Sequence, residues 1–358
     1  MLSSLDNLKI EINGASHAES IDVTVWGIPQ GIKIDLDELQ EYVDRRKARK
    51  TIYSTKRLEE DKINVLSGIE NGVTTGDAIK CVVYNLDPHS SDYTKLQDTP
   101  RPSHADYVAK VKYNGKEDMR GGGRFSGRMT LTICILGGIA KQILKNHNIQ
   151  VEGYVQSIAN INSTSYKDRD IKAEEIQALD NSFRVIDLDK KELMLEKIQQ
   201  AAANKDSVGG VVEAIAYNLP VGLGGPLFES MEGKISYAMF AVPAVKGIEF
   251  GSGFDISKMT GSTANDCFYY DENKNVKTYT NNNGGINGGI TNGMPLTIRV
   301  ALKPTPSIAQ EQKTIDMATK TNTTIQIKGR HDSCIVPRAV VCVESVLALC
   351  ILDSIIKQ

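Results

Sequence analysis

Three of the five histidines in this 358-residue chain lie in short polar segments that also contain glycine, arginine or aspartate. They are His17 in "NGASHAES", His104 in "TPRPSHADY" and His331 in "KGRHDSC". Histidine titrates near neutral pH, so it can donate or accept protons during catalysis. A single histidine is more often structural or exposed, but three in such company indicate acid–base chemistry.

A glycine-rich basic segment, "KEDMRGGGRFSGRMT" at 116–130, places three consecutive glycines between Arg120 and Arg124. Glycine lets a ligand approach the backbone closely, and arginine binds anions through paired hydrogen bonds. The segment therefore predicts a loop that binds an anionic ligand. A surface turn with solvated charges and an RNA-binding segment are the alternatives. Whether Arg120 and Arg128 contact ligand or only brace the loop stays open.

Other cations also recur in short polar strings. They are Arg45, Arg46, Arg49, Lys50, Arg57, Arg101, Lys303, Arg330 and Arg338. The net charge is only −2, so local clusters must supply any anion site, and no nucleic-acid partner is expected. The sequence contains neither GxxxxGK[ST] nor a GxGxxG that opens a helix after a strand, which leaves a Walker loop and a dinucleotide-type Rossmann site without their signals.

The composition, 41% hydrophobic and 24% charged, is typical of a globular protein with a sizeable core. The six cysteines form no CxxC pair, which favours reduced thiols in the cytoplasm over disulfides or a zinc site, and no metal is expected. No signal peptide is predicted. The apolar segment from Ala339 carries Glu344 and Asp353, so it predicts a buried helix rather than a membrane anchor.

Hydrophobic patterning predicts an α+β chain. Strands are predicted at 8–12, 21–28, 62–68, 78–85, 151–158 and 207–220, and helices from Asp35 and Ala339 and at 130–146, 190–205 and 227–242. The helix at 130–146 follows the glycine loop directly, so the loop can present an anion to a helix N-terminus. Segment 272–293 predicts an Asn/Gly-rich loop or disordered insert. Because no linker divides the chain, we expect one domain over 1–358.

Together these strings resemble the chorismate synthase family. The matching motifs are "GASH", "RPSHADY", "RGGGRFSGR", "DSVGG", "GLGGP", "PAVKGIEFG", "GGINGGITNGMP", "KPTPSI" and "GRHDSCIVPRAV", in family order over nearly the whole chain. The resemblance implies a cytoplasmic homotetramer whose single-domain β-α-β sandwich holds helices between antiparallel sheets.

The implied activity is a carbon–oxygen lyase that converts 5-enolpyruvylshikimate 3-phosphate to chorismate by anti-1,4-elimination of phosphate, the last step of the shikimate pathway. The family requires reduced FMN although the reaction has no net redox change. NADPH, as an indirect reductant, and a separate flavin reductase are the candidate sources of reduced flavin. No membrane partner is expected.

By motif, the resemblance implies that His17 protonates the departing phosphate, His104 is an acid near the flavin, and Asp332 assists a proton relay beside flavin N5. The family's FMN positions fall on Arg124, Phe125, Ser126, Pro243, Ala244, Gly288, Lys303, Pro304, Thr305, Pro306, Ser307 and Arg330. Arg46 falls in a basic helix end that the family uses for nucleotide or substrate phosphate, and Arg49 is a further candidate there.

The chain also departs from the family pattern. "GASHA" has Ala15 and Ala18 where the commonest family start reads GESHG, so the carboxylate that would favour a protonated His17 is missing. "RRKARKTI" lacks the usual proline and glycine of the basic segment. These changes leave open a divergent paralogue that keeps the flavin but acts on another phosphorylated anion.

Overall fold

The computed structural model describes residues 1–47, 60–85, 98–327 and 332–356. The predictions for Arg49, Arg330 and His331 lie outside the described residues. Strands are numbered in chain order as β1 (Leu2–Ser4), β2 (Lys9–Gly14), β3 (Ser20–Trp26), β4 (Asn64–Ser67), β5 (Ile69–Glu70), β6 (Val73–Thr74), β7 (Ile79–Tyr84), β8 (Gln150–Ile158), β9 (Ile161–Asn162), β10 (Gly210–Tyr217), β11 (Val245–Phe250), β12 (Phe268–Tyr270), β13 (Val276–Thr278), β14 (Ile286–Asn287), β15 (Ile290–Thr291), β16 (Leu296–Leu302), β17 (Glu311–Asp316) and β18 (Thr321–Gln326). Helices are α1 (Leu36–Asp44), α2 (Asp106–Lys112), α3 (Thr130–Lys145), α4 (Ala173–Gln177), α5 (Leu188–Ala203), α6 (Met231–Met239), α7 (Gly261–Ala264) and α8 (Val336–Ile355).

Two antiparallel five-stranded sheets carry the fold. One has the order β1-β2-β3-β7-β4 and the other β11-β16-β10-β8-β9. Alternating residues of β3, namely Ile21, Val23 and Val25, are buried, as expected for a strand with one face on the core. Because β11 pairs antiparallel with β16, the start of β11 lies beside the end of β16. That pairing brings 243–244 close to 303–307.

Helices α3 and α8 form the layer between the sheets. Helix α3 packs on β3 of one sheet and on β8 of the other, and α8 packs on β8 and β10. A Cβ on Gly137 would lie 2.1 Å from Cβ of Ser345 in α8, and one on Gly138 would lie 2.5 Å from Leu39 in α1. The glycine pair therefore lets α3 contact a helix on either side. This confirms the predicted α+β fold with helices between antiparallel sheets.

The predicted helix at 227–242 is wrong in its first turn. Residues Leu227–Glu229 form a short 3-10 turn, and Leu227 adopts a left-handed φ of +55°. Helix α6 begins after Ser230, whose side chain accepts a hydrogen bond from the Gly233 backbone and so caps the helix. By contrast, Asp35 caps α1 as expected by accepting from the backbones of Asp37 and Glu38.

Segment 272–293 contains β13 and the β14–β15 hairpin. Its course is held by Asp266, whose carboxylate accepts hydrogen bonds from the backbones of Asn282 and Asn283. All six cysteines are unpaired, and five are buried, while Cys267 is exposed. Among the described helices, none is both long and apolar enough to cross a membrane.

A buried ionic cluster joins α8 to its neighbours around Glu344, which has no exposed surface. Its carboxylate accepts two hydrogen bonds from Arg45, at 2.7 and 2.8 Å, and one from Arg184 at 3.2 Å. Lys141 lies 3.6 Å away. Burial alone would raise the pKa of Glu344, but Arg45, Lys141 and Arg184 outweigh it and lower the pKa to about 2.

We expect Glu344→Gln to lower the free energy of unfolding by about 3 kcal/mol at pH 7, because buried cations lose their counter-charge. A pKa below the usual 4.5 means that the ionised carboxylate stabilises the fold above pH 4.5, and that this contribution is lost as the pH falls towards about 2. The difference in free energy of unfolding between variant and wild type, measured with urea, should therefore shrink over that range.

Exposed Glu38 lies 3.9 Å from Lys145 and provides the control Glu38→Gln, which should lower the free energy of unfolding by under about 0.5 kcal/mol. Equal stability of Glu344→Gln and wild type would contradict this.

Candidate active site

The glycine loop has an unusual backbone. Gly121, Gly122 and Gly123 have φ values of +59°, +88° and +53°, all in the left-handed region that favours glycine. A Cβ on Gly121 would lie 2.3 Å from Nε2 of His17, and one on Gly122 would lie 3.5 Å from Nε2 of His104. Successive glycines of the loop thus face the two histidines, which explains why side chains are absent here.

His17 lies in the turn between β2 and β3 and is buried. The turn is fixed to the glycine loop because the Ser16 hydroxyl donates to the Arg120 carbonyl oxygen at 3.0 Å. On its other side the Asn85 amide donates to the Ala18 carbonyl oxygen at 2.6 Å. These contacts hold the imidazole against Gly121.

His104 is oriented by a carboxylate. Its Nδ1 lies 2.7 Å from Oδ1 of Asp106, and Arg101 donates to both oxygens of the same carboxylate. Burial would raise the pKa of Asp106, but the hydrogen bonds from Arg101 and His104 lower it well below its usual range. An ionised Asp106 can only accept, and its 2.7 Å contact favours a proton on Nδ1 over the 3.0 Å contact of Nδ1 with Nη2 of Arg101. Nε2 is the ring nitrogen that faces Gly122.

Replacing Asp106 with asparagine should lower kcat by about 10-fold or more if His104 transfers protons. An amide can donate to Nδ1, which would place the ring proton on the wrong nitrogen. The measurement is the steady-state rate with 5-enolpyruvylshikimate 3-phosphate, together with a thermal unfolding curve. Asp98→Asn, at an exposed carboxylate paired with Lys110, is the control and should leave kcat unchanged. Normal kcat in a folded Asp106→Asn would remove the orienting role.

A cavity of about 440 Å³ lies against the glycine loop and both histidines. Most of the residues singled out in the sequence line it, although they come from distant parts of the chain. These are His17, Arg46, His104, Phe125, Ser126, Pro243, Ala244, Lys303, Thr305, Pro306, Ser307 and Asp332. The β11–β16 pairing brings two of the motifs together, and the Lys303 backbone donates to the Ala244 carbonyl oxygen at 3.0 Å.

Three predicted FMN residues do not line this cavity. Arg124 pairs with Glu117 at 2.6 Å and lies over the ring of Tyr113. Gly288 lies in the β14–β15 turn, and Pro304 is not among the residues of the wall. These assignments, with those outside the described residues, stay predictions.

The three loop arginines behave differently. Arg120 pairs with Asp118 at 2.7 Å, and both side chains are about half exposed. The Arg128 side chain is 8% exposed, donates to Asn85 at 2.7 Å and to Asp61 at 2.8 Å, and lines the cavity. Since Arg120 and Arg124 are engaged by carboxylates of their own segment, the surface offers less positive charge to RNA than the sequence suggests.

The cavity is strongly cationic. Among the described residues, six cationic side chains but only two carboxylates line it: Arg46, Lys47, Arg101, Arg128, Lys303 and Arg338 against Asp61 and Asp332. Arg338 pairs with Asp332 at 2.5 Å, and its Nε donates to the Arg46 carbonyl oxygen at 2.9 Å. Such an excess favours a ligand with several negative charges.

Two carboxylates of the site were not singled out in the sequence, Asp61 and Asp106. Asp106 could have been found from its spacing, two residues after His104 in "SHAD". Nothing in the sequence indicated Asp61, since its partners Arg46 and Arg128 are distant from it along the chain. Within the described ranges, no group of three or more His, Cys, Asp or Glu side chains could hold a metal ion.

A buried and a partly buried imidazole beside a cationic cavity, in an α+β fold with helices between antiparallel sheets, are features of an enzyme that transfers protons on an anionic substrate. A sequence model of the family described as chorismate synthase matches residues 8–356. The chain belongs to the chorismate synthase family and is therefore a lyase.

Proteins that are similar to this chain over nearly their whole length are chorismate synthases. The chorismate synthase of Dehalococcoides mccartyi (strain 195) is 45% identical over 358 residues, covering 100% of this chain and 97% of the relative. That of Thermococcus kodakarensis is 43% identical over 98% of this chain and 96% of its own. A solved structure titled "Crystal Structure of Chorismate Synthase" superposes with a TM-score of 0.77 at 27% identity, covering 98% of this chain and 92% of that chain. The predicted resemblance is thus confirmed.

Proposed function

We propose that this chain catalyses the anti-1,4-elimination of phosphate from 5-enolpyruvylshikimate 3-phosphate, giving chorismate. The observation that carries the proposal is the convergence of His17 and His104 on one cavity lined by six cationic side chains. The substrate bears two carboxylates and a phosphate, so it needs a binding site of this charge. Family membership over residues 8–356 supplies the reaction class.

His17 is the group that protonates the departing phosphate. The turn that contains Ser16 and the backbone of Gly121 fix the position of its imidazole. The N–H bond of the protonated ring therefore has a fixed direction. Although Ala15 supplies no carboxylate beside it, Asp118 interacts electrostatically with His17. The pKa of Asp118 is lowered mainly by its hydrogen bond from Arg120, and His17 adds to this.

The cavity fits a flavin phosphate. Nε of Arg46 and Oγ1 of Thr305 are buried, and neither has a hydrogen-bond partner among the described residues. Buried polar groups are normally satisfied, so a bound ligand is the natural partner for both. Reduced FMN, when bound, supplies electron density for breaking the carbon–oxygen bond. The residues that would hold it are Phe125, Ser126, Pro243, Ala244, Lys303, Thr305, Pro306 and Ser307. His104 and Asp332 control protons beside it.

Further parts of the proposal come from the family resemblance, with the cysteine pattern also favouring the location and the lack of a linker also favouring a single domain. They are a homotetrameric assembly, a cytoplasmic location, NADPH as an indirect reductant, and a separate flavin reductase as a partner. The FMN roles of Arg124, Gly288, Pro304 and Arg330, the phosphate role of Arg49 and the single-domain organisation belong here too. Each stays a prediction.

The deciding experiment is an anaerobic assay with photoreduced FMN and 5-enolpyruvylshikimate 3-phosphate, in which chorismate is followed by its absorbance. We expect catalytic turnover that depends on reduced flavin. Folded protein that yields no chorismate would contradict the proposal. If such protein still bound FMN, the divergent paralogue that Ala15 and Ala18 suggest would be favoured.

A further inference from the structure

Asp61 links two arginines of the cavity wall. Its Oδ2 accepts from Nη2 of Arg46 at 2.7 Å, and its Oδ1 accepts from Nη1 of Arg128 at 2.8 Å. The carboxyl group is 1% exposed, and the two arginine side chains are 5% and 8% exposed. Because each oxygen serves a different arginine, the carboxylate sets the separation and relative orientation of the two guanidinium groups.

The backbone of Asp61 is itself fixed. Its φ is +44°, in the left-handed region, which is uncommon for residues other than glycine, asparagine and aspartate. The side-chain amide of Gln40, on α1, donates to its carbonyl oxygen at 3.1 Å, and Asn85 orients Arg128 from the other side. These hydrogen bonds therefore fix the positions of Asp61 and Arg128, so the carboxylate that joins the two arginines is not mobile.

The charge balance of this group suits an anionic ligand. Burial alone would raise the pKa of Asp61, but Arg46 and Arg128 outweigh it, so the carboxyl group is ionised at neutral pH. One carboxylate between two guanidinium groups reduces their repulsion and leaves a net positive charge. Nε of Arg46 has no hydrogen-bond partner among the described residues and lies on a side chain that lines the cavity.

We infer that Asp61 is a positioning residue that holds Arg46 and Arg128 as a two-arginine clamp for a phosphate monoester dianion. Asp61 acts through the arginines and does not contact the ligand itself. The inference rests on the proposed function for the choice of ligands, because both the substrate and FMN carry a phosphate monoester. A binding experiment separates those two sources and does not require turnover.

The test compares wild type with Asp61→Asn by equilibrium binding of two ligand pairs. The first pair is 5-enolpyruvylshikimate 3-phosphate and the same compound lacking phosphate, and the second is FMN and riboflavin. Asparagine tolerates a left-handed φ and matches the size of aspartate, so the backbone should be kept. We expect the phosphorylated member of one pair to bind about 10-fold or more weakly, since one arginine then meets an amide donor, while its counterpart changes less than about threefold.

The affected pair identifies which phosphate the clamp holds. Equal weakening of both members of each pair would show a merely structural role, and unchanged binding of all four would also overturn the inference. Asp77→Asn, at an exposed carboxylate, is the control and should change none of the four affinities.

If Asp61→Asn does not fold, Asp61→Glu is measured instead. It keeps the charge but changes the spacing of the arginines, so a selective loss of phosphate preference is again expected, and an unchanged preference overturns the inference. If the wild type forms no chorismate but still binds the phosphorylated ligands preferentially, the proposed function is refuted and the inference about Asp61 stands.

Discussion

His17→Ala and His104→Ala should each lower kcat by about 10²-fold or more, the usual contribution of a positioned acid or base. The expectation follows from geometry, because both imidazoles face successive residues of one glycine loop on the wall of one cavity. The measurement is the anaerobic steady-state rate with reduced FMN, with the dissociation constant of FMN determined separately.

The chain offers a matched control in His147, an exposed histidine after the end of α3. His147→Ala should keep full activity. If His17→Ala or His104→Ala were as active as His147→Ala, that residue would lose its acid role, and the mechanism would need another proton donor.

The second large effect is expected at Gly121. An alanine there would be strained by about 1–2 kcal/mol at a φ of +59°, and its Cβ would lie 2.3 Å from Nε2 of His17. The ring must move, and a displacement of about 1 Å can cost roughly 10²-fold in rate. We therefore expect Gly121→Ala to lower kcat by about 10²-fold in protein that still folds.

Gly261, at the start of α7, provides the comparison. A Cβ there would meet no heavy atom within 4 Å, its φ is not left-handed, and it is not among the residues that line the cavity. Gly261→Ala should thus leave both kcat and the unfolding temperature nearly unchanged. Similar activity in the two variants would show that the contact between Gly121 and His17 does not matter for catalysis.

The sequence predicted those helices and strands whose pattern lies entirely in neighbouring residues. Helix α3 is apolar almost all round, and its glycine pair indicated close helix contacts, both of which the structure confirms. The break at Ser230 was missed because a capping serine inside an apolar pattern resembles an ordinary helical position. Glu344 was correctly placed on a buried helix, but its partner Arg45 lies 299 positions away, beyond any local pattern.

The sequence predicted the site residues that belong to recognisable motifs. Pro243 and Lys303 were named from separate motifs, yet only the β11–β16 pairing shows that they share a wall. Arg124 was expected to face ligand, but Glu117 pairs with it. Asp61 belongs to no recognised string, and its role depends on where Arg46 and Arg128 meet in space.

The contact between Gly137 and Ser345 has a mechanical consequence. Helix α3 begins directly after the glycine loop, and α8 carries Arg338 and Cys342 of the cavity wall in its first two turns. Both helices thus start at the cavity, and further along them the Gly137 backbone directly meets the Ser345 side chain. A larger residue at either position would push apart two helices that carry parts of the cavity wall.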